Sequence, residues 1–70
     1  MKVTTNTTKH FIGLLIRQHR IKMQLTQEEF GKLIDVDRQY ISKIENGKIN
    51  LTLDYLYRII ELLNIDIAAI

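Results

Sequence analysis

Arg38, Gln39, Ser42 and Lys43 fall on the polar side of a short stretch whose apolar positions, Ile41 and Ile44, recur at helical spacing. On one helix these residues would present guanidinium, carboxamide, hydroxyl and ammonium groups side by side, a dense set of hydrogen-bonding groups. An ordinary solvated helix carries similar side chains, so their meaning depends on the elements around them. No other residues have the spacing of a chemical site. Serine, histidine and acidic residues occur, but without the local pattern of a nucleophile elbow, a phosphate loop or a zinc protease. His10 and His19 lie nine residues apart, with no cysteine or organised acidic cluster, and read as surface residues rather than metal ligands. No cofactor is expected, and an enzyme is the weakest functional class.

The chain has 70 residues and no cysteine. That is enough for one small domain, close to the size below which a core needs metals or disulfides. It is too small for a large enclosed active site. The lack of cysteine excludes disulfides and thiolate zinc sites, fits a reducing compartment and points to a cytoplasmic location. The apolar run from Phe11 to Ile16 contains Gly13 and is followed by Arg17-Gln18-His19-Arg20, too short to cross a bilayer and unlike a cleaved signal. No membrane partner is expected. Net charge is only +2, so any case for an anionic partner rests on where the charges lie.

The threonine-rich residues 1–9 lack apolar periodicity and read as a flexible arm ahead of a domain over residues 10–70. Phe11, Leu14 or Leu15, and Ile21 mark a first helix from about His10 to Met23. Thr26 and Glu29 have capping-box spacing, and Leu25 and Phe30 form the matching hydrophobic staple. The second helix starts there, directs Phe30, Leu33 and Ile34 inward, carries a Glu28–Lys32 pair and stops at Asp35. Asp37 caps a third helix over residues 38–46, with Val36 and Ile41 as its staple, and Gly47 is placed to end it in the left-handed region. Thr52 caps a fourth, whose inward stripe is Leu53, Leu56, Ile59 or Ile60, and Leu63; Asn64 ends it and Asp66 starts a last turn. The fold class is all-α, a compact bundle of four to five short helices.

Only about three residues separate the second and third helices, so they must cross steeply, as in a helix-turn-helix. Residues 25–31, Leu-Thr-Gln-Glu-Glu-Phe-Gly, the turn residue Val36 and residues 41–48, Ile-Ser-Lys-Ile-Glu-Asn-Gly-Lys, closely resemble the phage-repressor type of helix-turn-helix domain, the Cro-like or XRE family with the lambda-repressor-like fold. The resemblance covers about residues 11–70. Asp35 stands where the family usually has glycine, Asp37 where it has serine and Leu51 where it often has proline. The two aspartates suit their backbone roles but add negative charge near the turn.

The resemblance implies a sequence-specific regulator of transcription, a repressor or autoregulator, with its third helix in the major groove of double-stranded DNA. Arg38, Gln39, Ser42 and Lys43 would face base edges, with Tyr40 at their margin; Arg38 and Lys43 suit guanine, and Gln39 suits adenine. Thr26, Gln27, Asn46, Lys48 and Asn50 would contact phosphates, joined by Arg17 from the first helix. Glu45 would turn inward to pair with Arg20. So small a domain is expected to act as a homodimer on a palindromic operator. Ile49, Leu51, Ile65, Ile67 and Ile70 are the candidate dimer surface, with completion of the monomer core as the alternative for Ile65. The same fold also serves antitoxins that bind both DNA and a partner toxin, the rival reading.

Overall fold

The computed structural model describes residues 5–66 and 68, and among them four helices follow one another: α1 (Thr5–Lys22), α2 (Gln27–Ile34), α3 (Arg38–Glu45) and α4 (Leu53–Leu62). Helix α1 starts at Thr5, which corrects the expected start near His10 and places residues 5–9 in the helix rather than in an arm. Polar residues can extend a helix already anchored by packing further along, so the missing apolar period did not mark its end. Asp66 Oδ1 accepts a hydrogen bond from the Ala68 amide at 3.0 Å, as a residue starting a last turn would. Ile67 and Ile70, two of the expected dimer residues, lie outside the described residues.

Three N-caps form as their residue types require. The Thr26 hydroxyl accepts from the Glu29 amide at 3.0 Å while the Glu29 carboxylate accepts from the Thr26 amide at 2.8 Å, a complete capping box. Those bonds hold the Glu29 carboxyl below its ordinary pKa. Asp37 accepts from the Tyr40 amide at 2.8 Å and Thr52 from the Tyr55 amide at 3.2 Å. The helices also end alike, because Gln24, Asp35, Gly47 and Asn64 all adopt positive φ, between 54° and 71°. One residue later the chain donates back to the helix: Leu25 to the Arg20 carbonyl, Val36 to Gly31, Lys48 to Lys43 and Ile65 to Ile60. This is the Schellman arrangement, which satisfies otherwise orphaned carbonyls.

The core comprises Ile16 of α1, Phe30 and Ile34 of α2, Ile41 and Ile44 of α3, Ile59 of α4, and Leu63 and Ile65 beyond it. Ile65 is only 6% exposed, so it completes the monomer core and is removed from the dimer surface. Its burial follows from the Schellman turn, which folds the residue after the left-handed Asn64 back over the helix end. Ile49 and Leu51 are half-buried against the same core. Several residues expected to point inward instead face out: Phe11, Leu14 and Ile21 on α1, Leu33 on α2, and Leu53, which is 85% exposed at the first position of α4. On α1 the buried set is Ile16, with Ile12 and Leu15 beside it, one residue out of phase with the stripe read from Phe11.

Helix α3 packs against both α1 and α2. It passes α1 so closely that a Cβ on Gly13 would lie 2.6 Å from the carbonyl oxygens of Ile44 and Glu45. Gly31 admits the turn in the same way, a Cβ there meeting the Val36 carbonyl oxygen at 2.5 Å. Gly13→Ala must push backbone apart and is expected to cost about 1–3 kcal/mol in urea denaturation, whereas Leu53→Ala should stay within about 0.5 kcal/mol. Equal stability of the Gly13 variant would show that α1 and α3 can separate freely. Asp35→Gly removes a Cβ penalty in the left-handed region and should raise stability by about 1 kcal/mol; an unchanged or lower urea midpoint would show that aspartate is held there without strain.

Candidate nucleic-acid interface

Helices α2 and α3 meet in an open concavity of about 310 Å³ lined by Gln27, Arg38, Gln39, Ser42 and Lys43. Gln27 belongs to the first turn of α2, and the other four follow one another along the outer side of α3. Their positions come from the caps: Thr26 fixes where α2 begins, Asp37 fixes where α3 begins, and left-handed Asp35 turns the chain between them. Because Ile41 and Ile44 are buried, Arg38, Gln39 and Lys43 are turned to solvent and Ser42 is half-exposed. The arrangement offers cationic donors at Arg38 and Lys43, with two carboxamides and a hydroxyl that both donate and accept.

Beneath this concavity lies the ion pair expected between α1 and α3. Arg20 Nε donates to Glu45 Oε2 at 2.6 Å and Nη2 donates to Oε1 at 3.1 Å, a bidentate pair with both residues less than a tenth exposed. Arg20 Nη1 donates to the Leu25 carbonyl at 2.7 Å, which ties the end of α1 to the entry of α2. Sequence reasoning missed the next link: Gln27 Nε2 donates to Glu45 Oε1 at 3.1 Å. The buried carboxylate therefore orients the Gln27 amide, leaving its carbonyl oxygen and second N–H for the open side. Residue spacing carries no signal for this bond, which depends on how α2 crosses α3.

Other candidate residues are placed less uniformly. Tyr40, expected at the margin of the base-facing set, points the other way: it is half-buried against the core, and its ring centroid lies 6.2 Å from that of Tyr55. Tyr40 precedes Ile44 by one helical turn, so it shares the inward side of α3. Tyr55 donates its hydroxyl proton to the Ile34 carbonyl at 3.1 Å; burial pushes its pKa up, and the Arg58 guanidinium lies 5.8 Å from its ring centre. Asn46 folds its amide back onto the last turn of α3, donating to the Ser42 carbonyl at 2.8 Å. Thr26 and Lys48 are exposed near the two ends of the pair, and Arg17 is exposed on α1. Asn50 instead borders a separate cavity of about 140 Å³ that also includes Ile49 and Leu51. Among the described residues, no group of histidines and carboxylates could hold a metal ion, and no helix is long and apolar enough to cross a membrane.

Glu45→Ala would leave the Arg20 guanidinium buried without its counter-charge, so we expect it to cost about 3–5 kcal/mol. Gln27→Ala should cost about 1 kcal/mol, because Arg20 still satisfies Glu45. Thermal denaturation of both variants checks the order, and an unaltered melting temperature for Glu45→Ala would remove the pair from its structural role.

The helix-turn-helix family model matches residues 16–70. The chain is 45% identical over 49 residues to the control protein C.MunI of Mycoplasma sp, covering 70% of this chain and 66% of that protein. It is 38% identical over 56 residues to the ImmF control region 10 kDa protein of Bacillus phage phi105, covering 80% and 62%. With the control protein C.BamHI of Bacillus amyloliquefaciens it shares 36% over 62 residues, covering 87% and 76%. The chain thus spans just under two thirds of the length of the first two relatives. With two capped helices crossing at a three-residue turn and a family match over most of its length, the chain belongs to the helix-turn-helix family, in its phage-repressor type.

Proposed function

We propose that this protein is a sequence-specific double-stranded-DNA-binding regulator of transcription, a repressor or autoregulator, that lays α3 in the major groove. The supporting observation is the concavity where Arg38, Gln39, Ser42 and Lys43 of α3 stand beside Gln27 at the start of α2. Arg38 and Lys43 match the O6 and N7 acceptors of guanine, and Gln39 matches the paired donor and acceptor of adenine. The α2 N-terminus, with the Thr26 hydroxyl and the amide of Gln27, receives a phosphate, and Lys48 adds a second contact beyond α3. Arg17 and Asn50 lie farther out and serve as peripheral phosphate contacts. Asn46 acts chiefly by holding the last turn of α3. The relatives described as control proteins favour regulation over catalysis.

One copy presents few base-reading groups, so the functional unit is a homodimer on a palindromic operator with half-sites about 34–36 Å apart. With Ile65 committed to the core, half-buried Ile49 and Leu51 are the described residues left from the expected dimer surface. Selection from a random oligonucleotide pool should yield a two-fold symmetric site. Arg38→Ala should change the preferred base at one position of each half-site and cost about 1–3 kcal/mol. Lys48→Ala should instead weaken all sequences similarly and lower the salt slope by about one. Failure of the wild-type protein to enrich any sequence at moderate salt would refute the proposal.

A further inference from the structure

Helix α1 is apolar on two faces. Ile12 and Ile16 face the core, yet Phe11, Leu14 and Ile21 are each about half exposed, Leu14 at 54%. With Gln18 they follow the spacing i, i+3, i+7, i+10, which keeps them in one line on a helix. Gln18 lies two positions from Ile16, about 200° around the axis, so the line runs along the side away from the core. Among the described residues nothing buries this outer stripe.

The spacing is that of the a and d positions of a heptad, with Phe11 and Gln18 at a and Leu14 and Ile21 at d. Arg17 then occupies a g position and Lys22 an e position, where charges of two paired helices meet. Helix α1 contains no acidic residue. A second copy of α1 would set Arg17 against Lys22 in a parallel pair and Arg17 against Arg17 in an antiparallel one, so self-pairing along this stripe is disfavoured. We infer that the outer face of α1 is a docking surface for a partner protein's helix that has an apolar a/d seam and glutamate or aspartate at its e and g positions. The apolar stripe is turned away from α3, because Gly13 faces the end of that helix; of the docking residues only Arg17, at the margin, is shared with the proposed phosphate contacts.

The test uses two synthetic 21-residue peptides with the same leucine a/d seam, one with glutamate and one with lysine at all e and g positions, titrated against the full chain by fluorescence anisotropy. The glutamate peptide should bind at least about tenfold more tightly than the lysine peptide. Leu14→Asp, a substitution at an exposed position, should remove that binding while leaving helical circular dichroism and binding to the selected DNA site intact. Lys22→Glu should reduce the preference for the glutamate peptide about tenfold. Equal binding of both peptides, binding of neither, or an undiminished response from Leu14→Asp would overturn the inference. So would preferential binding to phosphatidylserine vesicles over the glutamate peptide, or self-association that Leu14→Asp abolishes. Loss of DNA binding with the peptide result intact would count against the regulator reading alone.

Discussion

The fold turns on one buried carboxylate. Glu45 receives two bonds from Arg20 of α1 and one from Gln27 of α2, while its own backbone belongs to α3; Arg20 also reaches the Leu25 carbonyl between α1 and α2. Three helices and one connection therefore meet at a single charge. Burying such a pair has a large desolvation penalty, and an apolar replacement of equal volume is often no less stable. Its value lies in direction: hydrophobic contacts tolerate sliding, whereas a bidentate guanidinium–carboxylate pair admits one relative placement. Glu45 is thereby both the lock between α1 and α3 and the group that aims Gln27.

Such a lock is needed because the elements are short. Helices α2 and α3 have eight residues each, too few to persist alone in water. Their free ends are satisfied locally, by side-chain caps at Thr26 and Asp37 and by left-handed residues at Asp35 and Gly47. Between them remain three residues, which leaves the chain little freedom in how α3 crosses α2. The polar side of α3 is exposed because Ile41 and Ile44 are pulled inward, and its heading is set by the Asp37 cap.

What could be read from the sequence follows the range of each interaction. The caps at Thr26, Asp37 and Thr52 and the left-handed Asp35, Gly47 and Asn64 involve neighbours within a few residues, and all were legible. The Arg20–Glu45 pair spans 25 residues and was legible only through the family resemblance. Periodicity misjudged Phe11, Leu33 and Leu53, because an amphipathic pattern shows that a helix has an apolar side without saying where its neighbours end. Helix α1 was hardest, since two apolar stripes share its surface and either could be taken as the core. At the site, residue types identified the polar side of α3, but the inward turn of Tyr40 and the grip of Glu45 on Gln27 depend on how helices cross.

Charge distribution sets the terms on which this surface could meet DNA. Arg38, Lys43 and Lys48 bring positive charge to α3 and its exit, but Glu28, Asp35 and Asp37 stand close by on α2 and the turn. Glu45 is matched by Arg20 and adds little to the outer field. Asp37 is committed to its cap, and Asp35 is fixed where the chain must turn left-handed. Non-specific attraction to a phosphate backbone scales with the number of cations that displace counterions, and here the acids offset much of it. Under the proposed function, discrimination would come mainly from directed hydrogen bonds at Arg38, Gln39, Ser42 and Lys43, which gain from a rigid support and lose from a mobile one. The buried pair, the tight turn and the caps are the features that make such directed contacts dependable.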